Sequence, residues 1–307
     1  MSKTLLTIIM PTYNKVKYIR KALNSVFKQQ TNFDFKVIVA DDASSDGSVE
    51  IVQEFMEKYP DRITLLCSEK NQKLFANVLR AYKITKTDYF CVLDPDDFWV
   101  NKNFLQDAID FLEANKNFTI YGNNSLVQHQ NGENIPFINT RLQQTTISLE
   151  SLTEGSPFFF TATSATVFRN VIFKEGVPQK MIDAIETPAA ISFRGDSFRN
   201  FIHLERGQMF FHNTISSVYC MTGDGIWTGL DVIEQNNLNV QFFVDLYLYF
   251  DKKYVFFGSI AKNLCLSTYK ELKESKQPDT SKQAQFEEVL RLYDMICEYV
   301  GPCDQPR

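Results

Sequence analysis

Short apolar runs alternate with helical patterns through the first hundred residues. The runs that are typical of buried strands cover residues 5–10, 35–40, 63–66 and 89–93. Between them, apolar residues recur every three or four positions, which predicts helices over 15–29, 48–58 and 74–83. Asn14 is placed to cap the first of these helices. Strands that alternate with helices form βαβ units, so the sequence predicts an α/β protein with a mostly parallel sheet.

The pattern becomes less regular after residue 100. It predicts a helix over 104–113, a strand over 119–129 ending in a hairpin turn at Asn131-Gly132, a polar loop over 143–156 and a strand over 158–168. Residues 232–300 have helical spacing, which Lys, Gln, Pro and Asp interrupt at 275–281. We therefore expect a helical C-terminal region after the sheet.

The composition fits a folded protein with a large core. Of the 307 residues, 44% are hydrophobic and 27 are Phe, and the net charge is −5 without any long basic run. Such a protein is not expected to bind nucleic acid as its main partner. The six cysteines have no CxxC spacing, which indicates free thiols. We find no targeting segment and no apolar stretch long enough to span a bilayer, and expect a cytoplasmic protein.

Three carboxylates are crowded into four residues at Asp94-Pro95-Asp96-Asp97, directly after an apolar run. Because like charges repel, the cluster needs a compensating interaction, and a divalent cation held together with phosphate oxygens would supply it. The carboxyl ends of strands are also where open α/β sheets bind ligands. The alternative is a turn whose acids cap the segment that begins at Phe98, since Asp and Pro favour turns.

Two further polar segments follow predicted strands, namely residues 11–14 and Asp41-Asp42. Because the carboxyl ends of parallel strands share one edge, all three segments are expected to line one cleft. Neither GxxxxGK[ST] nor GxGxxG occurs near the first strand, which argues against a P-loop NTPase and a dinucleotide-binding fold. Asp41 or Asp42 then accepts hydrogen bonds from a base or ribose, or else caps the following turn.

Four segments stand in the order found in one known family. They are IMPTYN at 9–14, DDxSxDG at 41–47, the segment from Asn71 to Asn77 and DxDD at 94–97. Together they resemble the family 2 glycosyltransferases, which have the Rossmann-like GT-A fold. The resemblance implies a GT-A domain over 1–230, with a nucleotide-sugar half over 1–100 and an acceptor half over 101–230, followed by a helical region over 231–307.

The resemblance implies a sugar transferase that uses a nucleotide-activated donor and Mn²⁺ or Mg²⁺. By position, Asp41 would contact the base with Asp42 beside it. Asp96 would be the chief metal ligand, and Asp94 would lie near the ribose and the metal. Further residues implied in the donor and metal sites are Pro11, Thr12, Tyr13, Asn71 and Asp97. A cation between the phosphates neutralises the charge that develops on the departing nucleoside diphosphate.

Two positions raise separate questions about the donor and the acceptor. Lys73 stands where the family has Gly, and either approaches the diphosphate or is simply solvated. Asp196 matches the second acid of the family's ED motif, with Gly195 in place of the first, and is the candidate base for the acceptor hydroxyl. The alternative is that Asp196 caps a helix that begins near Ser197.

Residues 219–227 resemble the family's YRxHxxGxWS stretch with two departures. Cys220 replaces the Arg and Thr222 replaces the His, which removes a candidate third metal ligand. Trp227 either stacks on the sugar of the donor or belongs to the core. Gly223 and Gly225 would give the loop freedom to close over the donor.

These features predict an inverting, metal-dependent glycosyltransferase. Family habit favours a UDP-sugar donor and a glycan or lipid-linked acceptor in bacterial surface polysaccharide synthesis. A nucleotidyltransferase is disfavoured because residues 11–15 are not a Gly-rich basic loop. The alternative is a glycosyltransferase-like nucleotide-binding or scaffold subunit that has lost catalysis. The aromatic residues over 242–257 form helix core, a dimer face or a patch for peripheral contact with the inner face of the membrane.

Overall fold

The chain folds into two compact units. The computed structural model describes residues 4–152, 160–193, 195–222, 229–274 and 280–301. The sheet unit comprises Met1–Ile182 and Arg199–Thr222, and the helical unit comprises Asp183–Phe198 and Gly223–Arg307.

One mixed sheet organises the sheet unit. Its strands are β1 (Thr4–Thr12), β2 (Asp34–Asp41), β3 (Ile63–Cys67), β4 (Tyr89–Val92), β5 (Phe98–Trp99), β6 (Phe118–Gln128), β7 (Asn134–Pro136), β8 (Gln144–Ile147), β9 (Thr166–Arg169) and β10 (Gln208–Cys220). The order is β3-β2-β1-β4-β9-β6-β10-β5, with β7 beside β6 and β8 beside β10. Neighbouring strands are parallel in the series β3-β2-β1-β4, and β6 is parallel to β10. The other pairs are antiparallel.

Helices flank the sheet and form the C-terminal region. They are α1 (Ile19–Val26), α2 (Ser48–Lys58), α3 (Lys73–Ile84), α4 (Phe104–Ala114), α5 (Gln179–Asp183), α6 (Ala189–Phe193), α7 (Asp196–Leu204), α8 (Val232–Tyr249), α9 (Val255–Glu274) and α10 (Thr280–Tyr299). The predicted α/β class and the helical C-terminal region are both confirmed. The sheet is parallel where the sequence predicted βαβ units, and it becomes mixed beyond β4.

The first strand explains why its sequence is a continuous apolar run. Leu6, Ile8 and Met10 of β1 pack with α1 in one buried cluster, and Ile9 between them is also fully buried. A strand with both faces covered cannot alternate apolar with polar residues, because neither face meets water.

The first helix begins later than predicted. It starts at Ile19 rather than at residue 15, and no side chain caps it. Asn14 instead has a left-handed backbone with φ of 52°, and its side chain accepts a hydrogen bond from the Ser45 backbone N–H. The prediction of an Asn14 cap was wrong because the side chain joins two loops instead.

The segments after residue 100 contain more strands than predicted. Strands β5 and β10 were missed, and the predicted loop over 143–156 contains β8 and a 3₁₀ turn, Leu149–Ser151. Within the described residues 160–168 of the strand predicted over 158–168, a second 3₁₀ turn, Thr163–Ala165, precedes β9. Irregular register between β10 and β6, for example between His212 and Ile215, breaks the alternation that would reveal β10 in the sequence. The hairpin turn at Asn131-Gly132 is confirmed by the pairing of β6 with β7.

The helical unit has its own apolar core. Val240 and Val244 of α8 pack with Ala261 and Cys265 of α9 and with residues of α10. Asp231 and Glu234 form a reciprocal capping box that fixes the start of α8. Across the parts of the chain that the structure describes, every helix is too short or too polar to cross a membrane.

Candidate active site

The carboxyl ends of three parallel strands lie side by side in the sheet unit. Thr12 of β1 pairs with Asp41 of β2, and the Asp42 N–H donates to the Thr12 carbonyl at 2.9 Å. Just after β4, the Leu93 N–H donates to the Ile9 carbonyl of β1 at 2.9 Å. The polar segments after β1, β2 and β4 therefore meet at one edge, as predicted, and we call it the donor edge.

The segment after β2 holds the loop after β1 in place. Ser44 Oγ accepts from the Asn14 N–H at 2.9 Å, and Ser48 Oγ accepts from the Lys15 N–H at 2.8 Å. Asp46 Oδ2 accepts from the Val16 N–H at 2.9 Å. Burial raises the pKa of Asp46, but its hydrogen bonds with Ser48 and Val16 outweigh burial and leave the pKa below its usual value. Part of the DDxSxDG motif thus shapes a loop rather than facing the cleft.

Asp41 and Asp42 differ in the use of their carboxylate oxygens. Asp42 is 3% exposed, and its Oδ1 accepts from the backbone N–H of Gln72, just before α3, at 2.8 Å. Asp41 is 2% exposed, and its Oδ2 accepts from the Ser44 N–H at 3.0 Å. Its other oxygen, Oδ1, is buried and has no hydrogen-bond partner among the described residues. Because a buried carboxylate oxygen without a donor is costly, this atom is suited to accept a hydrogen bond from a ligand.

The start of α3 explains the family preference for Gly at position 73. Lys73 has a left-handed backbone with φ of 72°, and its N–H donates to the Asn71 side chain at 2.9 Å. Glycine adopts this conformation without steric cost, whereas Lys does not. The Lys73 side chain is exposed to solvent. Further along α3, Asn77 donates to the Ala40 carbonyl at 2.7 Å and ties the helix to β2.

The three acids after β4 occupy different environments. Asp97 is 2% exposed, and its Oδ1 accepts from the Cys220 N–H of β10 at 3.0 Å. The pKa of Asp97 is raised well above its usual range, first by burial, then by the charge of Asp94 and more weakly by that of Asp96. Hydrogen bonds with Cys220 and Ser164 lower the pKa but do not outweigh these effects. Asp94 is half-buried. The side chain of Asp96 is 19% exposed and contacts a cation, Lys15.

Lys15 is a site residue that the sequence analysis missed. Its Nζ lies 2.5 Å from Asp96 Oδ2, and its side chain is 27% exposed. The sequence did hold a signal, because a cation directly after one polar segment is expected to meet acids that follow the neighbouring strand. The ammonium group of Lys15 thus contacts the carboxylate that the resemblance implies as the chief metal ligand.

The acids after β4 fit a divalent cation only together with ligands from another molecule. Among the described residues, no three His, Cys, Asp or Glu side chains are placed to hold a metal ion by themselves. Asp94 and Asp96 nevertheless offer hard oxygen ligands that are not fully buried. Mg²⁺ and Mn²⁺ commonly need only one or two carboxylates when phosphate oxygens complete the coordination. The residues therefore fit a cation that arrives with a diphosphate.

The other residues predicted for the site differ in their exposure and in the unit to which they belong. Pro11 and Thr12 are buried in β1, while Tyr13 is 46% exposed beside them. Asp196 is the first residue of α7 in the helical unit, and its Oδ1 accepts from the Ser197 N–H at 2.8 Å. Trp227, together with Gly223 and Gly225, lies outside the described residues.

Comparison with known proteins identifies the family. The sequence model of glycosyl transferase family 2 matches residues 7–177, which is more than half of the chain. The chain belongs to this family. The prediction of a family 2 glycosyltransferase with a GT-A fold is thus confirmed. The matched part of this family 2 chain contains the whole donor edge.

Named relatives and solved structures are similar to this family 2 chain. The dTDP-rhamnosyl transferase RfbG of Shigella flexneri is 32% identical over 40% of this chain and 43% of its own. The poly(ribitol-phosphate) beta-N-acetylglucosaminyltransferase TarS of Staphylococcus aureus is 29% identical over 55% of this chain and 28% of its own. The chain spans 60% or less of the length of these curated relatives.

Two solved structures share the fold. TarS residues 1–349 in complex with UDP-GlcNAc align with a TM-score of 0.67 at 17% identity, covering 97% of this chain and 82% of that one. The mannosyltransferase PcManGT of Pyrobaculum calidifontis, in complex with GDP-Man and Mn²⁺, aligns with a TM-score of 0.52 at 13% identity, covering 96% and 82%. Both of these structures contain a bound nucleotide-sugar.

Proposed function

We propose that this family 2 chain is an inverting glycosyltransferase that takes a sugar from a UDP-sugar with Mn²⁺ or Mg²⁺. The acceptor is a hydroxyl of a glycan or lipid-linked molecule of bacterial surface polysaccharide synthesis, used at the cytoplasmic face of the membrane. The observation that carries the proposal is the buried Oδ1 of Asp41, which has no partner among the described residues and lies at the edge that bears Asp96.

The donor nucleotide binds through Asp41 and its neighbours. Asp41 Oδ1 accepts a hydrogen bond from a base N–H or a ribose hydroxyl, which removes the cost of a bare buried carboxylate oxygen. The exposed ring of Tyr13 offers a face for the base, and Pro11 and Thr12 form the floor beside it. Asn71 accepts from the Lys73 N–H and holds this turn, and the exposed ammonium group of Lys73 would approach the diphosphate or remain solvated.

The cation is proposed on the chemistry of the acids. Asp96 and Asp94 would hold it together with the diphosphate, and Asp97, buried behind them, fixes the loop through the Cys220 N–H. A cation bound there neutralises the charge of the departing nucleoside diphosphate. Lys15 contacts Oδ2 of Asp96, so the cation would compete with the ammonium group for this oxygen. The Mn²⁺ in the PcManGT complex supports this assignment.

The acceptor hydroxyl needs a base, and we assign Asp196. Direct displacement at the anomeric carbon inverts its configuration and requires the attacking hydroxyl to lose its proton. Asp196 lies at the start of α7 and is only half-buried, so a carboxylate there can face a ligand. The Cys220 thiol does not compete with the acceptor hydroxyl as the nucleophile, because burial and the charge of Asp97 raise its pKa to about 11 and keep it protonated.

A second candidate is a nucleotide-binding or scaffold subunit that has lost catalysis. The contact between Lys15 and Asp96 favours it, because an ammonium group contacts the acid that the metal would use. In such a subunit the ion pair would replace the metal permanently. The two candidates differ in whether a cation can displace Lys15.

The decisive experiment measures ligand-induced stabilisation. Thermal unfolding is followed with UDP, GDP, CDP or dTDP, each with and without Mn²⁺, for the wild type, Asp96→Asn and Asp110→Asn. Asp110 is an exposed acid of α4 and serves as the matched control. A ligand that binds only the folded state raises Tm by mass action. We expect UDP to raise Tm most when Mn²⁺ is present, and the gain from Mn²⁺ to vanish in Asp96→Asn alone.

Other results separate the two candidates. Stabilisation by UDP that is independent of Mn²⁺ and of Asp96 supports the subunit that has lost catalysis. A protein that no nucleotide stabilises contradicts the transferase and the nucleotide-binding subunit, and favours the scaffold subunit. Hydrolysis or transfer from UDP-sugars, with its loss in Asp196→Asn but not in Asp231→Asn, then tests the assigned base.

A further inference from the structure

A basic groove runs along one side of α1 in the sheet unit. It encloses about 580 Å³ between α1 with its flanking turns and the segment of β5. Lys17, Arg20, Lys21 and Lys28 lie on the first wall, and Phe98 and Val100 lie on the other. Among the residues that the structure describes, no Asp or Glu lines the groove. Four cations therefore face one channel in a chain whose net charge is −5.

Most of these cations lack an acidic partner. Arg20 contacts Glu54 at 2.7 Å, with both side chains about half exposed. Lys21 Nζ lies 3.4 Å from the centre of the Phe98 ring. Within the ranges that the structure describes, no carboxylate bonds to Lys17, Lys21 or Lys28. Because these like charges repel one another, an anionic ligand would lower the electrostatic energy of the groove.

The groove begins at the donor edge. Phe98 directly follows Asp97, and Lys15, which contacts Asp96, is two residues before Lys17. Helix α1 itself, Ile19–Val26, is about 12 Å long at 1.5 Å per residue, and Lys17 and Lys28 lie beyond its two ends. The channel is thus longer than one sugar, and it starts where the donor would bind.

We propose that this groove binds the anionic chain of the acceptor, a phosphate- or carboxylate-bearing glycan whose end reaches the donor edge. The inference rests on the proposed transferase function and names the class of acceptor. Two walls with aromatic and aliphatic side chains suit a narrow chain. A flat membrane surface would touch only the rim of such a groove. The poly(ribitol-phosphate) in the name of TarS belongs to the same chemical class.

Binding of labelled oligomers tests the groove directly. Fluorescence anisotropy is measured with a ribitol-phosphate octamer, a galacturonate octamer and a neutral maltose-series octamer. The proteins are the wild type, Lys17→Ala/Lys28→Ala and the control Lys36→Ala/Lys83→Ala, which removes two exposed lysines outside the groove. We expect at least one anionic oligomer to bind, and the groove variant to bind it about tenfold more weakly at low salt. The control should retain its affinity, and whichever octamer responds identifies phosphate or carboxylate as the anion.

Other results overturn the inference. Equal weakening in both double variants would show a general charge effect, and equal binding of the neutral octamer would exclude charge recognition. Loss of binding to phosphatidylglycerol vesicles, without loss of oligomer binding, would make the groove a membrane contact. UDP stabilisation is measured on the same samples. If UDP fails to bind while the groove variant still loses oligomer binding, the transferase proposal fails and the groove stands.

Discussion

The donor edge and the core around His203 treat polar groups in opposite ways. At the donor edge, a carboxylate oxygen of Asp41 is buried without a partner among the described residues, and Asp96 contacts the partly exposed ammonium group of Lys15. In the core, the His203 ring is fully buried among the rings of Phe90, Phe168 and Phe173. Burial is the main cause that lowers the pKa of His203 to about 3, so the ring stays neutral. One region keeps carboxylates available for a ligand. The other holds a neutral imidazole and the buried guanidinium of Arg199 against aromatic rings.

The backbone shows the same contrast. Of the six described non-glycine residues with positive φ, three lie at the donor edge: Asn14, Ala43 and Lys73. None of the six lies among the aromatic residues around His203. Unfavourable backbone conformations persist where the surrounding hydrogen bonds fix them, as those of Asn14 and Lys73 do. At the donor edge, unfavourable backbone conformations thus lower local stability but give the loops the shape of a binding site.

The largest expected effect comes from breaking the core. Phe90→Ala removes a fully buried ring that stacks on Phe168 at 5.0 Å between ring centres. We expect the free energy of unfolding to fall by about 3–5 kcal/mol. Urea denaturation measures it, with Phe137→Ala, at an exposed position, as the control. A loss as small as in the control would show that this core does not carry the stability.

The next effect concerns the donor edge alone. Asp41→Asn keeps an acceptor for the Ser44 N–H but places an amide where the free carboxylate oxygen was. We expect UDP affinity to fall by about 1.5–3 kcal/mol, with little loss of stability. Isothermal titration calorimetry measures the affinity. Asp42→Asn should have a smaller effect, because Asn retains the acceptor for the Gln72 N–H, and a larger one would reverse the roles of the two acids.

Acid should destabilise the core through His203. Its pKa is about 6.5 when unfolded and about 3 when folded, so the unfolded state binds more protons between these values. The contribution is complete above pH 6.5 and is lost as the pH falls, at about 1.4 kcal/mol per pH unit. We expect His203→Phe to remove this slope between pH 6.5 and 5 in denaturant titrations. His212→Phe, at an exposed position, should leave it unchanged; an identical slope in all three proteins would contradict the prediction.

The smallest effect sharpens the role of Lys15. Lys15→Met removes the ammonium group beside Asp96 and keeps the length of the side chain. We expect Mn²⁺ to bind about two- to fivefold more tightly without nucleotide, because a partly exposed ion pair contributes less than about 1 kcal/mol. Mn²⁺ titration by electron paramagnetic resonance measures it, with Lys17→Met as the control. Unchanged affinity would show that Lys15 does not compete with the cation.

The regular first third of the fold was predictable from sequence, and the rest was not. Helix α2 matches its predicted bounds. Strands β1 to β4 were each found: β1, β2 and β4 are mostly buried and form continuous apolar runs, and β3 was recognised from its apolar residues although it is partly exposed. Strand β8 was missed because it is polar and mostly exposed, and pairs only with β10. Its stability comes from a partner more than sixty residues away, which no local pattern reveals.

The sequence by itself determined the family, the α/β class and the acids that follow the first, second and fourth strands. Motif order and apolar periodicity are local properties, and they survive without knowledge of the fold. Only the tertiary structure decided which oxygen of Asp41 lacks a partner, that Asp97 is bound by β10 and that Lys15 contacts Asp96. It also placed the cations of α1 opposite β5. Hydrogen-bond partners and charge pairs are set by distances across strands, which the linear chain does not contain.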